Sequence, residues 1–146
     1  MSVGLLLPIP MQYPVSTLLL YCIVAAAILV YVPFLVVGFA RVQVGYDMAA
    51  PRAMFDKLPA YAQRATWAHQ NSFESFMLFT AAAFMAYITQ VDSTAAKGAA
   101  IAYVVARLLY STFYILNVPL LRSLMFGVGS AAIATLMILS LQQVSA

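Results

Sequence analysis

The alternation of long apolar runs with short polar breaks sets the architecture of this chain. No charged residue occurs from Met1 to Ala40, and after Pro14 the apolar run continues almost unbroken to Ala40. A helix of roughly 20 residues crosses the hydrocarbon core of a bilayer. Residues 15–40 are therefore predicted as a first membrane span, with a kink at Pro33. A polar connection at 41–58 follows, carrying Asp47, Pro51, Arg52, Asp56 and Lys57. Pro59 suits the first turn of a helix, and helical periodicity then runs through Arg64, Asn71 and Glu74 to Ile88. Such a helix measures about 45 Å, so its first turns project beyond the hydrocarbon and the span proper covers 69–89. A turn at 90–97, a third span at 98–116, a tight turn at Asn117-Val118-Pro119 and a fourth span at 120–141 complete the pattern. The expected fold class is all-α: one integral membrane four-helix bundle over residues 1–146.

Composition agrees with that reading. Of the 146 residues 65% are hydrophobic and only 8% charged, against about 25% charged in an ordinary soluble domain. A soluble fold of this size has too little interior to hide so much apolar surface. The net charge of +3 comes without any Lys/Arg run, so no nucleic-acid partner is expected. Cys22 is the only cysteine, which excludes an intramolecular disulfide and a cysteine-pair metal site. One histidine without an acidic cluster gives no metal-ligand spacing. No basic residue precedes the first apolar run, and Pro8, Pro10 and Pro14 interrupt its start, so the first span is taken as retained rather than cleaved. Gly127, Ser130, Ala131 and Ala134 supply small residues for close helix contact in lipid.

The basic residues also fix an expected orientation. Arg41, Arg52, Lys57, Arg64 and Arg122 belong to the first and third connections, and the second holds only Lys97. By the positive-inside rule the large loop is cytoplasmic and both termini lie on the opposite side.

Glu74 and Arg107 are charged residues inside predicted spans, where each costs at least about 2.5–3.5 kcal/mol on insertion scales. At 100° per residue Arg64, Trp67, Asn71, Glu74 and Ser75 share one stripe of the second helix, and His69 points to nearly the opposite side. Tyr103, Arg107, Tyr110, Ser111 and Tyr114 share a face of the third, and Arg122 and Ser123 open the fourth at the same end. Two readings are open. The set is a structural polar cluster with Arg107 paired to Glu74, or it is a binding site in the half of the bilayer nearest the loop.

The stretch Arg64-Ala65-Thr66-Trp67-Ala68-His69-Gln70-Asn71-Ser72-Phe73-Glu74 resembles the second-helix signature of the MAPEG family, the membrane-associated proteins in eicosanoid and glutathione metabolism. Arg107, Tyr110 and Tyr114, followed by Arg122-Ser123, resemble the rest of that family's pattern. The resemblance implies a homotrimer that binds glutathione between subunits near the cytoplasmic side. It implies that Asn71 and Glu74 hold the peptide's polar groups, Tyr110 and Tyr114 line the site, and Arg107 braces Glu74. Arg122 and Ser123 would face the thiol, and Arg41 and Arg64 are candidates for the carboxylates. The chain departs from the family pattern at Trp67, where the enzymes compared carry an arginine. It also departs at Gln70 and Phe126, where prostaglandin E synthase has an arginine and a tyrosine.

The function implied is a glutathione-dependent transferase or peroxidase acting on hydrophobic electrophiles dissolved in the membrane, with glutathione as co-substrate. The alternatives are a non-enzymatic lipid-binding member of the family and a small structural subunit of a membrane complex.

Overall fold

A computed structural model describes residues 13–146. The prolines at 8 and 10, and the charge-free stretch before residue 13, lie outside the described residues. Four long helices account for most of the chain: α1 (Val15–Gln43), α2 (Ala60–Ile88), α3 (Thr94–Ile115) and α4 (Pro119–Ser145). A 3-10 helix, Pro51–Lys57, lies between α1 and α2. Three of the four, α1, α3 and α4, are long and apolar enough to cross a membrane. The fourth, α2, matches α1 in length at 29 residues but carries Arg64, His69, Gln70, Asn71 and Glu74.

The helix ends follow local chemistry. Ser93 caps α3, its hydroxyl oxygen accepting from the Ala96 N–H at 3.1 Å, so the helix begins four residues before the predicted span. Pro119 occupies the first turn of α4, where a missing N–H costs nothing. The reversal before it runs through Asn117 at φ 59°, a left-handed conformation that asparagine tolerates better than most residues. The Val118 N–H then reaches back to the Phe113 carbonyl at 2.9 Å, closing the end of α3.

Small residues face inward and large ones outward. Ala82, Ala83, Ala86, Ala96, Ala100 and Ala132 are buried with Leu19, Phe79, Tyr103 and Leu136 in the larger core cluster. A smaller cluster near the loop gathers Val37, Ala40, Leu58, Ala62 and Ala65. Meanwhile Leu35, Ile88, Leu120 and Leu141 are exposed. In lipid no hydrophobic force pulls leucine inward, and alanine lets helix backbones approach closely. The central pair is α2 and α3, each touching both α1 and α4.

The small residues of α4 divide between two sides. Gly127, Ser130, Ala131 and Ala134 lie on its exposed side, whereas Gly129, Ala132, Ile133 and Leu136 are buried. The close contact inside the chain is made by Gly129, whose position for a Cβ lies 3.8 Å from Arg107 Cδ and from the Tyr103 ring.

Candidate functional site

Between the two apolar clusters, α2 and α3 meet along a polar seam. Buried residues of α2 recur at alternating intervals of three and four (Ala65, Ala68, Ser72, then Phe79, Ala82, Ala86), the spacing of a helix–helix contact line. Ser72 falls on that line, and its hydroxyl sits 3.4 Å from that of Ser111 on α3. One turn further on, Ser75 meets the Tyr103 hydroxyl at 3.1 Å, while the Tyr103 ring stacks on Phe79 at 3.8 Å with an interplanar angle of 2°.

At the centre of the seam is Arg107, 3% exposed. Its Nη2 donates to Asn71 Oδ1 at 3.1 Å and to Ser72 Oγ at 3.0 Å. The guanidinium carbon lies 4.1 Å from the Tyr110 ring centroid, and the Nε–H has no partner among the described residues. Every hydrogen-bond partner is neutral. Glu74, expected to pair with Arg107, is not among its hydrogen-bond partners in the described residues. The physical reason is register: Asn71 and Ser72 point toward α3, and Glu74 lies farther round α2 on its exposed outer edge.

A ladder of rings and cations leads from Arg107 toward the loop end of the molecule. Tyr110 meets Tyr114 edge to face at 5.6 Å and Phe126 of α4 at 6.4 Å. Arg122, in the first turn of α4, stands over the Tyr114 ring at 4.7 Å. Guanidinium over an aromatic face is attractive, more so where water is scarce. Trp67 lies 6.5 Å from Tyr114 and 5.6 Å from Phe55 of the 3-10 helix. Arg64 is tied to the end of α3, its Nε–H donating to the Ile115 carbonyl at 3.0 Å.

The other side of α2 borders a cleft of about 760 Å³. It is walled by Phe34, Val37 and Arg41 of α1, by Tyr46, Arg52 and Phe55 of the connection, and by Thr66, His69, Gln70, Phe73 and Glu74 of α2. Arg41 Nε is buried there without a hydrogen-bond partner. His69 is satisfied across the helix pair, its Nδ1 lying 2.8 Å from the Val30 carbonyl. A carbonyl only accepts, so Nδ1 carries the proton. The ring lies 5.1 Å from Phe34, one residue past Pro33, whose missing N–H already interrupts the α1 ladder.

The predicted residues thus divide. Asn71, Arg107, Tyr110, Tyr114 and Arg122 come together along the seam, with Arg64 at its end. Arg41 lines the cleft; Glu74 stands between the two, on the cleft wall yet near enough for its charge to act on Tyr110; and Ser123 is exposed at the start of α4. Reading polar residues alone missed Ser72, Arg52 and the cleft role of His69. Ser72 was legible in the three-and-four spacing of small residues along α2. Arg52 was not, because nothing local says where a loop arginine folds back.

Four long helices, three of them suited to crossing a membrane, and a buried arginine in an uncharged seam define a helical membrane-protein class. The chain belongs to the MAPEG family: the family's sequence model matches residues 18–142 of the 146. No curated protein and no solved structure matches it significantly.

Proposed function

We propose that this protein binds glutathione and presents its sulfur, as the thiolate, to hydrophobic electrophiles dissolved in the bilayer. The observation that carries this reading is Arg107: a guanidinium 3% exposed, held only by neutral groups and with its Nε–H unbonded. Burying a cation without a counter-charge is costly. An anion arriving at the seam offsets that cost, and glutathione brings two carboxylates.

Arg122 is the candidate for activating the thiol. It stands in the first turn of a helix, where the free N–H groups and the macrodipole favour negative charge. A neighbouring cation lowers a thiol's pKa and so raises the thiolate fraction. The proton passes to water. The sulfur then uses a lone pair to form a bond to the electrophilic carbon, and the leaving group departs with its electrons. With a hydroperoxide the thiolate attacks the terminal oxygen instead: the O–O bond breaks with its electron pair leaving on the alkoxide, which takes a proton from water, and the sulfenic acid condenses with a second glutathione to give the disulfide and water. Ser123 is close enough in sequence to add a hydrogen bond to the sulfur. Asn71 serves the peptide's polar groups in competition with Arg107.

A homotrimer is part of the proposal. Arg41 and Glu74 belong by resemblance to the same site as Arg122, yet in one chain the cleft and the seam open on opposite sides of α2. A neighbouring copy whose cleft faces the seam would reunite them, with Glu74, exposed on the outer edge of α2, at the junction. The exposed small residues of α4 allow close approach of another helix. The excess of basic residues at the loop end supports a cytoplasmic loop and site, with the C-terminus opposite. Labels introduced at residue 50 and at the C-terminus should react from opposite faces of sealed vesicles.

The test of function is glutathione binding by the purified protein, followed as saturable heat together with thiolate ultraviolet absorbance near neutral pH. Binding without the thiolate signal would leave a glutathione-binding protein that does not activate it. Neither signal would favour lipid binding as the role of the fold.

A further inference from the structure

We infer that the end of the bundle opposite the loop holds the ammonium group of a phosphatidylethanolamine headgroup, with Asp92 as its counter-charge and Gln90 and Ser16 as neutral acceptors. This site is independent of the glutathione reading, because none of the three residues belongs to the seam or lines the cleft beside Arg41.

The chain reverses tightly after α2. The Gln90 N–H donates to the Tyr87 carbonyl at 3.2 Å and the Val91 N–H to the Ala86 carbonyl at 3.0 Å. These are the paired bonds of a helix closed through one left-handed residue. That residue is Gln90, at φ 55°. Glycine is the usual occupant of such a position because a Cβ is strained there. Asparagine tolerates it better than most, and Asn117 holds the same place after α3. A glutamine gains nothing from that backbone. Strain retained in a fold points to a use for the side chain, and the Gln90 side chain lines a second cleft, of about 520 Å³.

This second cleft lies between Val15 and Ser16 at the start of α1 and Tyr87, Gln90 and Asp92 at the end of α2. Asp92 is the only charged residue on its wall among the described residues. The side chains of Asp92, Gln90 and Ser16 make no hydrogen bond or ion pair among the described residues. The last turn of α2 carries no basic residue, so the negative end of its dipole is uncompensated. A carboxylate and neutral acceptors without a fixed cation select a cationic ligand rich in N–H donors. A quaternary ammonium is held by an aromatic cage, and Tyr87 is the single ring on this wall. A primary ammonium instead has three donors, one each for the carboxylate, the amide oxygen and the hydroxyl. The level in the bilayer favours a lipid as its carrier. The apolar run of α1 begins at Val15, and the exposed rings of Tyr13, Tyr21 and Tyr87 suit the membrane–water interface. Ile88, exposed on the same wall, offers the acyl chains an apolar surface, while the phosphate stays in water at the mouth.

Native mass spectrometry of the full-length protein in detergent reads the dissociation constants of short-chain phosphatidylethanolamine, its N-methyl and N,N-dimethyl forms, and phosphatidylcholine. Affinity should fall along that series as N–H donors are lost, with the first lipid about tenfold tighter than the last. Asp92→Asn should bring the two ends of the series together. Gln90→Gly should weaken phosphatidylethanolamine by about threefold or more. Its unfolding midpoint should meanwhile hold or rise, because glycine relieves the left-handed strain. A rise without the loss of affinity would overturn the role of Gln90. Equal affinities for all four lipids in the parent, or an Asp92→Asn protein that still prefers phosphatidylethanolamine, would overturn the site. Displacement of the lipid by an equal concentration of free ethanolamine would overturn it as well, since the ligand would then be a soluble amine.

Discussion

The two faces of α2 handle charge in opposite ways. On the seam side Arg107 is enclosed, and two neutral oxygens and a tyrosine ring replace its water. On the cleft side Arg41 and Arg52 border an opening of about 760 Å³ between α1, α2 and the docked connection. An enclosed cation must be solvated by fixed dipoles, so its geometry is set by packing; a cation at an opening can wait for its partner. The seam is therefore expected to govern both stability and chemistry, and the cleft affinity alone.

Arg107 variants should produce the largest effects. Arg107→Ala removes the donor that satisfies Asn71 and Ser72 and leaves a void against Gly129; about 3–5 kcal/mol of stability should be lost, read as the midpoint of unfolding in detergent. Arg107→Met keeps the volume without the charge, so the fold should largely survive. Glutathione binding should nonetheless fall by about a hundredfold if this cation meets a carboxylate. Retained affinity in a folded Arg107→Met protein would reduce the seam to a structural cluster.

Next in size is Arg122→Ala. A single donor to developing or resting anionic charge is worth about 10²–10³ in kcat in enzymes, and a loss approaching that range is expected, with little change in KM and a weakened thiolate signal. Arg52→Gln should do the reverse, raising KM and sparing kcat. Steady-state rates on one hydrophobic electrophile separate the two patterns, and identical patterns would erase the distinction between the faces.

The coupling of Arg107 can be measured directly. A double-mutant cycle of Arg107→Gln with Asn71→Ala should show an interaction of about 1 kcal/mol or more, while the cycle with Glu74→Gln should be additive within about 0.5 kcal/mol. Strong coupling to Glu74 would restore the pairing expected from sequence. The smallest effect belongs to Gly129→Ala. The new methyl meets Arg107 and Tyr103 at ordinary contact distance, and alanine favours a helix over glycine by up to about 1 kcal/mol. Stability should hold or rise slightly, and a clear loss would mean that the α3–α4 contact is tighter than 3.8 Å implies.

Much of this was readable in the residues, and the failures have a common cause. The helix at Ala60–Ile88 and the turn at Asn117 follow from proline placement, periodicity and a residue tolerant of positive φ. The polar faces of α2 and α3 were also legible, because 3.6-residue periodicity puts Asn71 with Ser75 and Arg107 with Tyr110. What periodicity leaves open is the angle at which each stripe meets its neighbour. Glu74 and Asn71 are three residues apart, yet that offset carries one to the outer edge and the other into the seam. In the same way Ser72 looked like a bystander because a small hydroxyl within an apolar contact line carries little weight by composition. Arg52 depends on contacts between Asp47, Met54, Phe55 and Trp67 that no repeat announces.

The central claim is that an anionic peptide thiol completes the Arg107–Arg122 seam. Calorimetric titration of the purified parent with glutathione, repeated with S-methylglutathione and with thiolate absorbance followed in parallel, tests it most directly. The account predicts saturable binding of both, with a thiolate signal for glutathione that disappears in Arg122→Ala while binding persists. Absence of binding in the folded protein, or a thiolate signal indifferent to Arg122→Ala, would contradict it.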